Sequence, residues 1–146
     1  SFVEYWMHRA MHKFPQTFKT HTQHHANNTG QGVLGEFFAY VKGSLIGFIP
    51  PFFYSLEAGI AWSFGAIIYA AFSAYAHQLQ HDNPRYCAWM KMPVHYVHHS
   101  YNQWHHNFGL GVDWWDKIFG TYKPVEWVKE AEEKFPGGSY LQVKWR

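Results

Sequence analysis

The stretch Ala58–Ala76, AGIAWSFGAIIYAAFSAYA, runs for 19 residues without a charged side chain, close to the length that crosses a bilayer as a helix at about 1.5 Å per residue. Directly before it, Gly43–Leu56 is uncharged for 14 residues and carries Pro50-Pro51. That pattern predicts a kinked, partly interfacial or re-entrant helix extending back past Lys42. A buried central helix of a soluble protein has a similar sequence, and the mean hydropathy of −0.37 favours it. The long polar segments on either side pull that average down, and their histidines decide the matter.

Of the twelve histidines, ten fall into four groups. His8 and His12 lie in HRAMH, and His77 and His81 in HQLQH. His21, His24 and His25 lie in HTQHH, and His95, His98 and His99 in HYVHH. On a helix, positions i, i+3 and i+4 share a face, so each group can aim its imidazoles at one ion or at two neighbouring ones. A single pair of this kind is more often structural. Four in one chain point to metal, because gathered imidazoles have little other physical purpose. Two groups precede the apolar stretch and two follow it. One crossing would put them on opposite sides of a membrane, so a shared site requires a hairpin over about residues 33–76, turning near Glu57–Gly59. The expected fold is therefore all-α: an integral membrane helical hairpin with a cytosolic cap of short helices carrying a histidine-rich di-metal site.

Outward from the hairpin, Ser1–Phe14 and Thr17–Ala26 are expected to be helices, the first stopped by Pro15. Asp82-Asn83-Pro84 should end the returning helix, and Pro93 suits the first turn of the helix bearing His95. A short charged helix is expected near Trp127–Lys134, and the last eight residues, SYLQVKWR, read as a loose tail. The metal-site segments are then about 4–26 and 77–122, within a single domain over residues 1–146. The chain starts at Ser1 without Met, close to the first histidine pair, which suggests an N-terminal truncation, and no signal peptide is visible.

Composition narrows the function. The formal charge of +2 is small and the basic residues are scattered, so nothing suggests a nucleic-acid partner. Aromatic residues make up 21% of the chain, with eight Trp, and such rings suit a membrane interface. Arg85, Lys91, Lys13 and Lys19 fall on the histidine side, which the positive-inside tendency makes cytosolic, at the ER membrane or a bacterial inner membrane. With Cys87 as the only cysteine, there is no disulfide, CxxC pair or Cys-ligated cluster, so electrons must come from another protein. Ten imidazoles over two ions give about five nitrogens each, more than a structural zinc takes. That excess favours redox iron, with zinc possible as purified. Ligand segments nearly free of Asp and Glu argue against a di-metal hydrolase. Unclustered Met and Cys argue against a non-enzymatic membrane metal-binding protein. His105 and His106 lie outside the groups and read as surface or interfacial residues.

The boxes HRAMH, HTQHH, HQLQH and HYVHH, followed by Asn107-Phe108-Gly109 and WWDKIFGTY, resemble those of the membrane-bound fatty acid hydroxylase and sterol desaturase superfamily, over about Glu4–Tyr122. The resemblance implies a non-haem di-iron oxygenase that hydroxylates or desaturates a lipid using O2. An external cytochrome b5- or ferredoxin-type donor would supply the electrons. It also implies His8, His12, His21, His24, His25, His77, His81, His95, His98 and His99 as ligands. Asn107 and Asp116 are candidates for contacts to ligand histidines. Glu4, four residues before His8, is a candidate from spacing alone to fix the tautomer of an imidazole. Relatives usually carry further transmembrane helices before the first box.

Overall fold

Apolar periodicity and caps divide the chain into seven α-helices, and the computed structural model, which describes residues 1–146, contains no strand. These are α1 (Phe2–Lys13), α2 (Lys19–Asn27), α3 (Val33–Ser44), α4 (Leu56–Asp82), α5 (Val94–Ser100), α6 (Trp114–Ile118) and α7 (Val128–Lys134). Two 3₁₀ turns, Leu45–Phe48 and Pro50–Phe53, continue α3. They mark the irregularity that Pro50-Pro51 imposes by removing amide donors.

The stretch Val33–Phe53 and helix α4 are both long and apolar enough to cross a membrane. They run antiparallel as the expected hairpin. Only 11% and 22% of their apolar windows are buried within the molecule, whereas a soluble core helix would be largely covered. Ile46, Phe53, Tyr54 and Phe64 are each more than two-thirds exposed, as residues facing lipid would be. The reversal lies at Tyr54–Ser55, slightly earlier than Glu57–Gly59. Ser55 is extended, and its side chain accepts from the Ala58 amide at 3.1 Å. This N-cap satisfies a free donor and starts α4 before Glu57. Gly59 is instead a packing residue: a side chain there would collide with the Phe52 ring.

The apolar core lies at the opposite end of the hairpin, in the cap. Leu79, Cys87, Met92, Val94 and Val97 pack there with Ala131 of α7 and Val143. Asp82 and Asn83 end α4, as expected, before a 3₁₀ turn at Pro84–Tyr86. The segment from Ser139 onward is not the loose tail that its composition suggests. Val33 and Leu34 amides donate to Lys144 O (2.9 Å) and Trp145 O (3.0 Å). The Lys144 amide donates to Asp82 Oδ2 at 2.7 Å, and Asn83 Nδ2 donates to Gln142 O. The tail thus supplies acceptors to the free first turn of α3. Gln78 completes the clamp, accepting from Gly32 N and donating to Asp82 Oδ2, each at 2.9 Å. Deleting Ser139–Arg146 is expected to cost about 3–5 kcal/mol, from the lost Val143 burial and these hydrogen bonds. A thermal midpoint in detergent equal to that of the full chain would contradict the clamp.

Candidate metal centre

Helical spacing sorts the histidines. On one helix, i+4 lies about 40° to one side of i and i+3 about 60° to the other, so an HxxHH box directs its first and last imidazoles one way and its middle one the other way. In α2, His21 and His25 join His8 and His12 of α1, while His24 turns to His81, His95 and His99. The second box mirrors this division. His95 and His99 stay together, and His98 Nε2 crosses to lie 2.9 Å from His12 Nε2 and 3.2 Å from His25 Nε2. His77 packs against the other set, with ring centroids 4.2 Å from His95 and 5.0 Å from His81. All ten clustered histidines thus form two adjacent sets of five. The His25 and His99 rings stack at 3.9 Å between the sets. His105 is exposed and His106 partly so, and neither side chain joins a set.

The donor set fits metal on its own geometry. His12 Nε2 lies 3.2, 3.0 and 2.9 Å from the Nε2 atoms of His8, His21 and His98. A ring nitrogen carries one proton or one lone pair, so it cannot bond to three imidazoles at once. One shared cation satisfies all four. With metal–nitrogen bonds near 2.1 Å, adjacent ligand nitrogens stand about 3.0 Å apart. His81 Nε2, at 3.2 Å from His24 Nε2 and 3.1 Å from His95 Nε2, repeats the pattern in the second set.

Main-chain carbonyls orient several of these rings. Phe108 O accepts from His8 Nδ1 at 2.7 Å, Thr29 O from His24 Nδ1 at 2.8 Å, and His106 O from His98 Nδ1 at 2.6 Å. Each bond places the proton on Nδ1 and leaves the Nε2 lone pair directed at the centre. Burial, reinforced by neighbouring imidazoles, holds the rings neutral. His12 and His25 are lowered to about 2, His21 to about 3 and His24 to about 4. His98 is lowered to about 4, chiefly by burial, and His8, His95 and His99 are pushed far down by the same cause. Neutral imidazole is the form that binds metal. Trp104 and Phe108 wall the first set, with ring centroids 4.3 and 5.5 Å from His12.

The three proposed supporting residues act differently from expectation. Glu4 touches no imidazole. Its carboxylate accepts from Ser73 Oγ at 2.7 Å and from the Leu110 and Gly111 amides, tying α1 to α4 and to the loop before α6. A shared helical stripe put Glu4 near His8, but these donors take up its oxygens. Asn107, at φ 58°, bonds to Gln103 and to the Lys123 main chain and reaches no histidine side chain. Asp116, fully buried, accepts from Phe108 N (2.8 Å), Gly109 N (2.7 Å) and Thr121 Oγ1 (2.7 Å). It reaches His8 only through the Phe108 peptide, whose carbonyl orients that ring. Gly109 is required there, since a side chain would strike Val112 O and the Asp116 carboxylate. Asp116→Ala would strand two buried amide donors and leave the Thr121 hydroxyl to Tyr5 alone, and a loss of about 3 kcal/mol is expected. An unchanged melting midpoint would refute this role.

Two residues in the site escaped the sequence reading. Gln80, inside HQLQH, accepts from the His95 amide at 2.8 Å and donates to Leu110 O at 2.6 Å, joining three segments. Glu36, only 4% exposed, sets its Oε1 3.3 Å from His77 Nδ1. It is the single acid in Val33–Phe53, and a lone carboxylate in an apolar span is itself a functional signal.

Comparisons with known proteins agree with this geometry. A family model described as fatty acid hydroxylase matches residues 1–121. Searches of curated proteins and of solved structures gave no match. Since the matched region covers most of the chain and all ten clustered histidines, the chain belongs to the fatty acid hydroxylase family.

Proposed function

We propose that the protein is an O2-dependent lipid hydroxylase whose ten clustered histidines hold two iron ions, five imidazoles to each. The observation that carries the reading is the five-and-five sorting of imidazoles at one end of an apolar helical hairpin. Iron bound there supplies reductive activation of O2 for attack on an unactivated C–H bond. The protein's own part is positional. His8, His12, His21, His25 and His98 form one ligand set, and His24, His77, His81, His95 and His99 the other. Carbonyl bonds to Nδ1 fix ring direction, while Trp104 and Phe108 keep water from the first set. No side chain is needed as a separate acid, base or nucleophile.

The position suits a lipid whose tail enters from the bilayer side. On the other side, a cavity of about 260 Å³ lined by Asn28, Thr29, His81, Asp82, Tyr96, Lys134 and Phe135 reaches the second set. Reductant from a cytochrome b5- or ferredoxin-type donor would arrive from that cytosolic face. Tags at the two termini should accordingly report the same side of the membrane. Opposite sides would break the hairpin.

Elemental analysis of gently purified protein, with Mössbauer spectroscopy on the same sample, tests the metal. About two irons per chain with a coupled spectrum is expected. Zinc alone, persisting after anaerobic reconstitution with iron, would overturn the oxygenase reading. Incubation of the iron-loaded protein with membrane lipid and ¹⁸O2 should then label the product. A new double bond without label would assign desaturation instead.

A further inference from the structure

We infer that Glu36 is an anionic positioning residue that acts through His77 and makes the two metal positions unequal. This deepens the metal-centre reading above and rests on it. Three ligand histidines, His8, His24 and His98, direct Nδ1 to neutral main-chain carbonyls. His77 instead faces a carboxylate, with both side chains about 5% exposed. No lysine or arginine pairs with Glu36; its other contact is the Gln31 amide, which donates to Oε1 at 3.3 Å.

A buried carboxylate without a lysine or arginine partner is costly, and the His77 ring is the side chain set against it. A dication held by the ring would give the carboxylate a positive partner through His77, whose Nδ1 lies 3.3 Å from Oε1. The fold maintains the pairing. The clamp of Gln78, Asp82 and Lys144 fixes the first turn of α3 against α4, one turn from both Glu36 and His77. The Glu36 carboxylate therefore stands beside the second set, where it favours a cation held through His77. The first set has no equivalent: Glu4 bonds to Ser73 and two amides, and Asp116 is separated from His8 by a peptide.

The test is metal release from the wild-type chain and Glu36→Gln in detergent, both loaded with iron and challenged with a chelator. Wild type should lose its two ions in separate phases. In Glu36→Gln, one phase should accelerate about 10- to 100-fold, the usual effect of removing a partner of a ligand histidine, while the other keeps its rate. One of the two Mössbauer doublets should shift correspondingly. If Glu36 served only to hold the fold, its loss would loosen both sets and accelerate both phases alike. As the partner of one ligand ring, it should alter one phase alone. Two ions with unchanged release phases in Glu36→Gln overturn this inference alone, as does equal acceleration of both phases. Wild type that binds fewer than two ions overturns the metal reading, and the inference with it.

Discussion

Replacing His98 by alanine is expected to remove most of the bound iron and abolish turnover, although the change lies on a seven-residue helix. His98 connects three segments of the site. Its Nε2 meets His12 from α1 and His25 from α2, and its Nδ1 is anchored on His106 O. Alanine takes one ligand from the first set and frees the wall that Phe108 makes against it, at 5.8 Å between ring centroids. His99→Ala should have the same outcome from the second set, because His99 packs between His24, His81 and His95 and also stacks on His25. The exposed His105 provides the contrast, and His105→Ala should keep wild-type iron. Iron counted per chain beside a melting curve separates ligation from folding. Full iron occupancy in His98→Ala would remove it from the ligand set.

Much of this site was readable because its signal is local. The spacing of HxxxH and HxxHH is a property of one helix, so four short windows were enough to predict a convergence of imidazoles. The charge-free Ala58–Ala76 similarly announced a long helix. Which imidazole joins which set was not readable, because the i+3 ring can turn either way until a partner helix lies beside it. The misreadings have the same origin. Glu4 shares a stripe with His8, but its donors come from Ser73 and from Leu110 and Gly111, 69 to 107 residues away. Glu36 finds His77 across the hairpin, a pairing invisible until α3 and α4 are set in register. The tail from Ser139 lacks apolar periodicity, and its docking depends on main-chain groups that any sequence would provide. The signal for it lay in the unfilled first turn of α3 and in Asp82-Asn83. The turn near Glu57 was misplaced although Ser55 stands three residues before Ala58, a spacing that suits an N-cap.

Acid should dismantle the centre and then the cap. In the unfolded chain the imidazoles titrate near 6.5, whereas the folded protein holds His12, His21, His24, His25 and His98 at about 2 to 4, mainly by burial. Below pH 6.5 the unfolded chain therefore takes up protons that the folded one refuses. The stability from these groups is fully present above pH 6.5 and is lost as pH falls toward 4 and below. Each imidazole adds a slope of up to about 1.4 kcal/mol per pH unit. The part-exposed His21, His24 and His25 contribute less, because water screens them. Bound metal competes with the same protons, so its release should precede unfolding, and the metal-free protein should fail at a higher pH than the loaded one. Melting curves in detergent at pH 8, 7, 6 and 5, with iron measured at each step, check both parts. Nearly equal midpoints are expected at pH 8 and 7, with a steep fall from 6 to 5. A midpoint that stays level to pH 5 in the metal-free protein would mean that the imidazoles accept protons within the fold, and the neutral clusters on which both metal sets depend would not exist.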